Sequence, residues 1–213
     1  MKTTTRKIYD ELFERYPALL CVREEIAEAF VMIKESYSGK GVLYLGGNGG
    51  SASDSEHIVG ELIKSFKKKR AISPEVKEKL MGLGERGDEL ASVLEGGLAA
   101  ISLQSEVSIL SAFANDRSWD AAMAQRLYAL GRSGDVVLLL STSGNSKNCL
   151  YAATVARAKG IGVIALTGEG GGELARTSDV AIKVPETETY KVQELHLPIY
   201  HCIAAMLEEE FFD

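Results

Sequence analysis

Short apolar runs in this chain open directly into loops rich in glycine or hydroxyl residues, and a helical segment follows each loop. The run at 41–45 (GVLYL) enters the glycines of 46–50, and the run at 136–140 (VVLLL) enters the polar loop 141–146. Apolar strands that do not alternate with polar residues are typical of parallel sheets buried on both faces. The pattern therefore predicts an α/β fold in which ligands bind beyond the carboxyl ends of the strands.

The same alternation continues along most of the chain. It predicts five strands, at 41–45, 99–103, 136–140, 161–166 and 180–184. It predicts helices at 5–16, from about 19 to 38, and at 52–66, 105–112, 118–130, 147–159 and 190–210, with a short one after the glycine loop 167–172. The expected architecture is a doubly wound five-stranded parallel sheet flanked by helices in three layers, with an N-terminal helical pair.

Residues 67–97 interrupt this pattern with a charged run, a proline and five glycines. We interpret them as an insertion of irregular structure and short helices within a single domain that spans 1–213. The charged runs 67–70 and 208–210 are interpreted as solvated ends of their segments.

Composition narrows the class of protein. The chain has 213 residues, 46% of them hydrophobic, and a formal net charge of −6, which argues against a protein that coats nucleic acid or an anionic membrane. No apolar run reaches the roughly 18–20 residues of a membrane span. Three scattered cysteines do not form a disulfide framework, and the N-terminus does not resemble a signal peptide, so a cytoplasmic protein is expected.

The glycine loop after the first strand is predicted to bind an anion, because glycines let backbone N–H groups approach it at a helix N-terminus. The residues concerned are Asn48, Gly49, Gly50 and Ser51. Gly47, Gly49 and Ala52 also fit a dinucleotide fingerprint, but that motif requires an acid about 20 residues later at the end of a second strand. No such strand is predicted there, so no nucleotide cofactor is expected. A dinucleotide enzyme and a ligand-free turn are the less favoured alternatives.

The second polar loop carries four hydroxyl groups in six residues. They belong to Ser141, Thr142, Ser143 and Ser146. Capping the following helix requires only one of them, so the excess favours phosphate binding at that helix N-terminus.

Two further groups of polar residues carry candidate chemistry. His57 and Glu61 lie four residues apart on one predicted helix, which suits a metal site or an acid–base pair but is also common on helix surfaces. Gln193 and His201 are about 12 Å apart along a regular helix, so they share one metal only if the helix is irregular or if they come from different subunits. Asn115–Asp116 is compatible equally with sugar contacts and with a helix cap.

These motifs, GNGGSASD, STSGNS, LTGEGG and QELHLPIYH, resemble in order and spacing the sugar-isomerase (SIS) family of phosphosugar-binding proteins, and within it the phosphoheptose isomerase branch. The resemblance covers about 41–66 and 98–210, together with the helical pair in outline. It implies the residue roles that follow. The phosphate would be held by Ser51, Ser141, Ser143 and Ser146, with Thr142 and Asn48 beside them. Asn115 and Asp116 would contact the sugar, and His57, Glu61, Gln193 and His201 would bind one zinc ion per site.

The resemblance further implies an aldose–ketose isomerase of heptose biosynthesis. It would convert sedoheptulose 7-phosphate to D-glycero-D-manno-heptose 7-phosphate through an enediol(ate), with Glu61 and His201 as the acid–base pair. Relatives are homotetramers with sites at subunit interfaces. The alternative is a non-catalytic phosphosugar-sensing or protein-binding module, which the unusual segment 67–97 motivates. A non-catalytic member of the family lacks the helix glutamate, so the presence of Glu61 favours the enzyme.

Overall fold

A computed structural model describes residues 1–212 as alternating helices and strands. The helices are α1 (Thr3–Arg15), α2 (Arg23–Ser38), α3 (Gly50–Ile63), α4 (Pro74–Met81), α5 (Glu85–Val93), α6 (Val107–Asp116), α7 (Ala122–Leu130), α8 (Lys147–Lys159), α9 (Gly172–Thr177) and α10 (Thr189–Phe211). The strands are β1 (Leu43–Gly46), β2 (Ala100–Ser102), β3 (Val136–Leu140), β4 (Gly162–Thr167) and β5 (Val180–Lys183). Within residues 1–212, no helix combines the length and the hydropathy that crossing a bilayer requires.

All five strands form one parallel sheet in the order β2-β1-β3-β4-β5, which confirms the predicted sheet. The chain passes from β1 to β2 on one side and then continues from β3 on the other. The strand order therefore reverses between β1 and β3, which is the position where open parallel sheets bind ligands.

The sheet is covered on both faces because its strands are apolar on both faces. On one face, Leu45, Leu138 and Leu166 pack in the core that α1, α2, α3 and α10 cover. On the other face, Tyr44 and Leu139 pack in the core that α7, α8 and α9 cover. The helix α3, with its candidate residues, thus lies on the same side of the sheet as α10.

The N-terminal helical pair differs from the prediction at the start of its second helix. The helix α1 ends at Arg15, before Pro17, as predicted, but residues Pro17–Val22 form a 3₁₀ helix and α2 begins only at Arg23. Leu19 and Val22 are both buried there. Residues three apart point the same way in a 3₁₀ helix, whose turn contains three residues, so this geometry buries both side chains together.

Residues 67–97 contain two short helices, α4 and α5, as expected for this segment. Ser73 caps α4 by accepting a hydrogen bond from the N–H of Val76 at 3.3 Å, and Pro74 occupies the first helical position. The two helices pack on each other and leave several large apolar side chains in solvent, among them Leu83, which is 75% exposed, and Val93, which is 63% exposed.

The prediction that the two charged runs are solvated ends of their segments is wrong at Arg70 and along the run 208–210, whose side chains are at most 15% exposed. The side chains of Arg70 and Glu208 are 0% and 1% exposed, and Arg70 Nε lies 2.7 Å from Glu208 Oε1. Glu208 also accepts hydrogen bonds from the backbone N–H groups of 66–68. Arg70 donates to the carbonyl oxygens of Glu61 and Leu62 at the end of α3. The pair is buried because the loop after α3 supplies most of the partners that its charges require.

These contacts determine the direction in which the pKa of the Glu208 carboxyl group is shifted. Burial by itself would raise the pKa of its carboxyl group, but the hydrogen bonds from the N–H groups of Phe66 and Lys67 and from Arg70 outweigh it, so the pKa lies below its usual value. The negative charge of Glu208 is therefore part of the folded structure.

We expect Arg70→Met to lower the free energy of unfolding by about 3–5 kcal/mol, because it leaves the buried charge of Glu208 without its partner. Urea denaturation at neutral pH measures this loss. The control is Lys79→Met, which breaks the exposed Lys79–Glu75 pair on α4 and is expected to cost less than about 1 kcal/mol. Equal losses in the two variants would contradict the role assigned to the buried pair.

Candidate active site

The two predicted anion loops follow neighbouring strands, so they meet at the carboxyl edge of the sheet. The glycine loop follows β1 and the hydroxyl loop follows β3, which pair in parallel. The side-chain amides of Asn48 and Asn148 join the loops through two hydrogen bonds, of 3.0 Å from Asn48 and 2.7 Å from Asn148. Asn148 was not predicted as a site residue; its place in the first turn of the helix after the hydroxyl loop is the signal that identifies it.

The hydroxyl groups of the second loop do not cap the helix that follows. Ser146 is the N-cap residue of α8, yet its side chain makes no capping hydrogen bond. Its hydroxyl group instead accepts a hydrogen bond from Ser141 at 3.0 Å, while the Ser143 hydroxyl accepts one from the N–H of Asn145 at 3.2 Å. This leaves the N-terminus of α8 available to an anion, and the neighbouring hydroxyl groups are able to bind it.

The hydroxyl loop is held in place by a close approach to the glycine loop after β4. Gly144 has a φ of 65°, and a Cβ atom there would lie 1.9 Å from the carbonyl oxygen of Gly171. The carbonyl of Gly144 accepts a hydrogen bond from the N–H of Leu174 at 2.9 Å. Only glycine satisfies both the conformation and the contact.

Asn115 and Asp116 lie in the last turn of α6 rather than beyond it, and both are exposed. The Asn115 amide donates to the Asp116 carboxylate at 2.9 Å. The helix α7 begins at Ala122 and has no side-chain cap, so the capping interpretation of Asp116 is wrong. Their contact with a sugar stays a prediction.

His57, Glu61 and His201 converge where α3 packs against α10. One potential ligand atom from each lies within 4.8 Å of the others. Glu61 Oε1 is 3.1 Å from His57 Nε2, which is in turn 3.4 Å from His201 Nε2. Burial, followed by the charge of His57, lowers the pKa of His201. Two imidazoles and a carboxylate are a donor set that suits Zn²⁺, so these residues fit the predicted metal.

Gln193 lies at a different point of the same helix contact. A Cβ atom at Gly50 would be 2.8 Å from Gln193 Nε2, so the Gln193 amide packs against the first turn of α3. His57 is seven residues further along α3, or about 10 Å of helix rise. The helix α10 is continuous from Thr189 to Phe211, so within one chain Gln193 stands beside the glycine loop and apart from the three clustered residues.

Asp54 and Tyr200, which the sequence analysis did not identify, form hydrogen bonds next to the cluster. The Tyr200 hydroxyl lies 3.0 Å from Asp54 Oδ1 and 3.2 Å from His57 Nδ1. Burial raises the pKa of Tyr200, and Asp54 raises it further. Asp54 precedes His57 by three residues on α3, and this helical spacing was the available signal for it.

A cleft of about 320 Å³ adjoins the cluster through His201 and Phe66 and runs between α1 and α10. The Phe66 and His201 rings are 5.6 Å apart between centroids. His196, the remaining histidine of α10, does not reach the cluster: it is fully buried, and burial lowers its pKa to about 4.

Comparison with known proteins places this site in a family. The model of the SIS domain matches residues 111–207. The phosphoheptose isomerase of Rhodospirillum rubrum is 36% identical over 184 residues, covering 86% of this chain and 85% of that protein. The phosphoheptose isomerase of Aneurinibacillus thermoaerophilus is also 36% identical, covering 91% of this chain and 84% of that protein. The chain belongs to the phosphoheptose isomerase family.

Solved structures agree with this family assignment. The phosphoheptose isomerase GmhA of Neisseria gonorrhoeae superposes with a TM-score of 0.71 at 29% identity and covers 97% of this chain and 94% of its own. The phosphoheptose isomerase of Francisella tularensis has a TM-score of 0.74 at 26% identity and covers 98% of this chain and 100% of its own. The resemblance found in the sequence motifs is thus confirmed, and the similarity includes the sheet and the helices that carry this family member's candidate site.

We expect Gly144→Ala to weaken the binding of inorganic phosphate and to destabilise the fold by at least about 1–3 kcal/mol, because the left-handed conformation and the contact with Gly171 both exclude a side chain. Calorimetry and urea denaturation measure the two effects. Gly170→Ala is the control, since it lies in the adjoining loop with open space around its Cβ position. Unchanged phosphate binding in Gly144→Ala would contradict the assignment of this loop.

Proposed function

We propose that the protein is a phosphosugar aldose–ketose isomerase that converts sedoheptulose 7-phosphate to D-glycero-D-manno-heptose 7-phosphate. The observation that carries the proposal is the arrangement along α3. Its N-terminus lies at the anion loops, and His57, whose Nε2 is 3.1 Å from Glu61 Oε1, lies about 10 Å further along the helix. Sedoheptulose 7-phosphate has its phosphate at one end and its carbonyl group near the other, so one molecule can engage both regions.

The phosphate end would be bound by helix N-termini and hydroxyl groups, since Lys147, the first residue of α8, is paired with Asp120 at 2.7 Å. The N-termini of α3 and α8 supply partial positive charge and free N–H groups, and hydroxyl groups of the second loop donate hydrogen bonds. Ser51 adds a buried hydroxyl in the first turn of α3. Gln193, which packs on that turn, would contact the substrate beside the phosphate.

The carbonyl end requires a group that moves a proton between adjacent carbons. Glu61 Oε1 faces His57, whereas its Oε2 is 3.7 Å from Lys64 Nζ, so the two oxygens have different surroundings. Oε2 can carry the proton while Oε1 stays in the cluster. His201 Nε2 faces the cluster, so its other nitrogen, Nδ1, would exchange a proton with the adjacent substrate oxygen and complete an acid–base pair.

We further propose one zinc ion per site, held by His57, Glu61 and His201, with Gln193 as the fourth predicted ligand. When bound, the ion would stabilise the oxyanion of the enediolate. No nucleotide cofactor is required, because the substrate is oxidised at one carbon and reduced at the next.

The distance between Gln193 and the cluster supports a site at a subunit interface, since a second chain can supply the Gln193 ligand that one continuous helix cannot bring to the cluster. A homotetramer in the cytoplasm, serving heptose biosynthesis, is the corresponding assembly.

A second candidate function is a phosphosugar-dependent protein-binding module. The observation in its favour is the apolar surface of α4 and α5, where Met81, Leu83 and Val93 are exposed. The same surface is also compatible with assembly of the enzyme. Turnover of the substrate separates the two candidates.

We expect the purified protein to isomerise sedoheptulose 7-phosphate when Zn²⁺ is supplied and to lose this activity in the presence of a chelator. The assay follows formation of the aldose phosphate, with five- and six-carbon ketose phosphates as comparison substrates. Phosphosugar binding without turnover of any of them would favour the protein-binding module instead.

We expect Glu61→Gln to lower kcat by about 10²–10⁴-fold, which is the usual contribution of a general acid–base group. Binding of inorganic phosphate should persist, because the anion loops are untouched. The matched control is Glu56→Gln, which removes an exposed carboxylate from the same helix and should leave kcat unchanged. Full activity in Glu61→Gln would show that another residue moves the proton.

A further inference from the structure

Three side chains, those of Asp54, Tyr200 and His57, form a hydrogen-bonded row on the side of His57 that faces away from Glu61. Asp54 Oδ1, the Tyr200 hydroxyl and His57 Nδ1 are linked by distances of 3.0 and 3.2 Å. Tyr200 is 2% exposed, so its hydroxyl group has little access to water as an alternative partner. This row of hydrogen bonds joins α3 to α10 beside the cluster.

The number of protons available decides which atom donates in each contact. A tyrosine hydroxyl has one proton to donate and lone pairs to accept with. An ionised carboxylate only accepts, so the Tyr200 hydroxyl donates to Asp54. The same hydroxyl can then only accept from His57, and this requires that Nδ1 carry the imidazole proton.

The other ring nitrogen of His57 faces electron-rich atoms. In a neutral imidazole with a proton on Nδ1, Nε2 has a free lone pair. Nε2 lies within the cluster, 3.4 Å from His201 Nε2 and 3.1 Å from Glu61 Oε1. The Glu61 carboxylate is the competing acceptor for the imidazole proton, because an Nε2–H group would donate to it, so Tyr200 and Asp54 have to outweigh Glu61 for Nδ1 to hold the proton. Three potential donor atoms that converge in this way are suited to a cation.

We propose that Asp54 and Tyr200 are positioning residues that hold His57 in the Nδ1–H tautomer and thereby direct the lone pair of Nε2 into the cluster. The inference rests on the proposed function in one respect, namely that the lone pair of Nε2 binds the metal ion. The tautomer of His57 can be measured whether or not the protein is an isomerase. The hydrogen bond made by one imidazole nitrogen generally selects the state of the other, and such partners orient metal-binding histidines.

The first test is a long-range ¹H–¹⁵N NMR spectrum of the metal-free full chain at alkaline pH. The chain has 3 histidines, and a His57→Gln variant identifies the His57 signals by their loss. We expect the protonated nitrogen of His57 to be Nδ1 in the unmodified protein. In Tyr200→Phe we expect the Nδ1–H form to lose its dominance, because the acceptor is gone while the ring is retained.

The second test is the affinity for Zn²⁺ alone, measured by competition with a chromophoric chelator. Loss of an outer partner typically lowers metal affinity 10–100-fold, so that decrease is expected for Tyr200→Phe and for Asp54→Asn. Tyr9→Phe is the matched control: Tyr9 is also buried, at 3% exposed, and its hydroxyl donates to the carbonyl of Arg23 rather than to a residue of the cluster. Urea denaturation shows whether each variant is folded.

The outcomes separate this inference from the proposed function. A His57 found in the Nε2–H or doubly protonated form, or a tautomer unchanged in folded Tyr200→Phe, overturns the inference even if the protein is an active isomerase. A shifted tautomer with weaker Zn²⁺ binding supports the inference even if sedoheptulose 7-phosphate is not converted. A decrease in Zn²⁺ affinity of the same size in Tyr9→Phe also counts against it.

Discussion

The contact between α3 and α10 is the constraint on which the site depends, and the buried ion pair of Arg70 and Glu208 anchors one end of it. Arg70 follows α3 in the chain and binds the last carbonyl groups of that helix, while Glu208 belongs to α10. A buried ion pair is not in itself a strong source of stability, but an unpaired buried charge is costly. The pair therefore penalises any arrangement in which one helix slides along the other.

Once the two helices are held in this register, one face of α3 meets α10 along its length. Gly50, Asp54 and His57 are four and three residues apart and so share that face, and they meet Gln193, Tyr200 and His201. The anion loops at the start of α3 and the cluster further along it thus keep a constant separation. This separation, rather than any single residue, is what makes an extended phosphosugar a suitable ligand.

The sheet supplies the second part of the site through its topology. Because β1 and β3 are adjacent and parallel, the loops that follow them meet, and Asn48 and Asn148 join them. The groups that we propose to bind phosphate there are hydroxyls, N–H groups and helix N-termini, which would attract the anion without a cluster of basic side chains. The proposal agrees with a net charge of −6, since such a site would select the anion by geometry and not by overall charge.

Local patterns determined the parallel sheet, the two anion loops and the pairing of His57 with Glu61, because strand burial, glycine loops and helical spacing are properties of neighbouring residues. Contacts between distant segments were decided only by the tertiary structure. It buried Arg70 and Glu208, which look like surface charges in the sequence because they are 138 positions apart. It also set Tyr200 behind His57 and set Gln193 apart from the cluster, since the register of one helix on another depends on packing that no local pattern records.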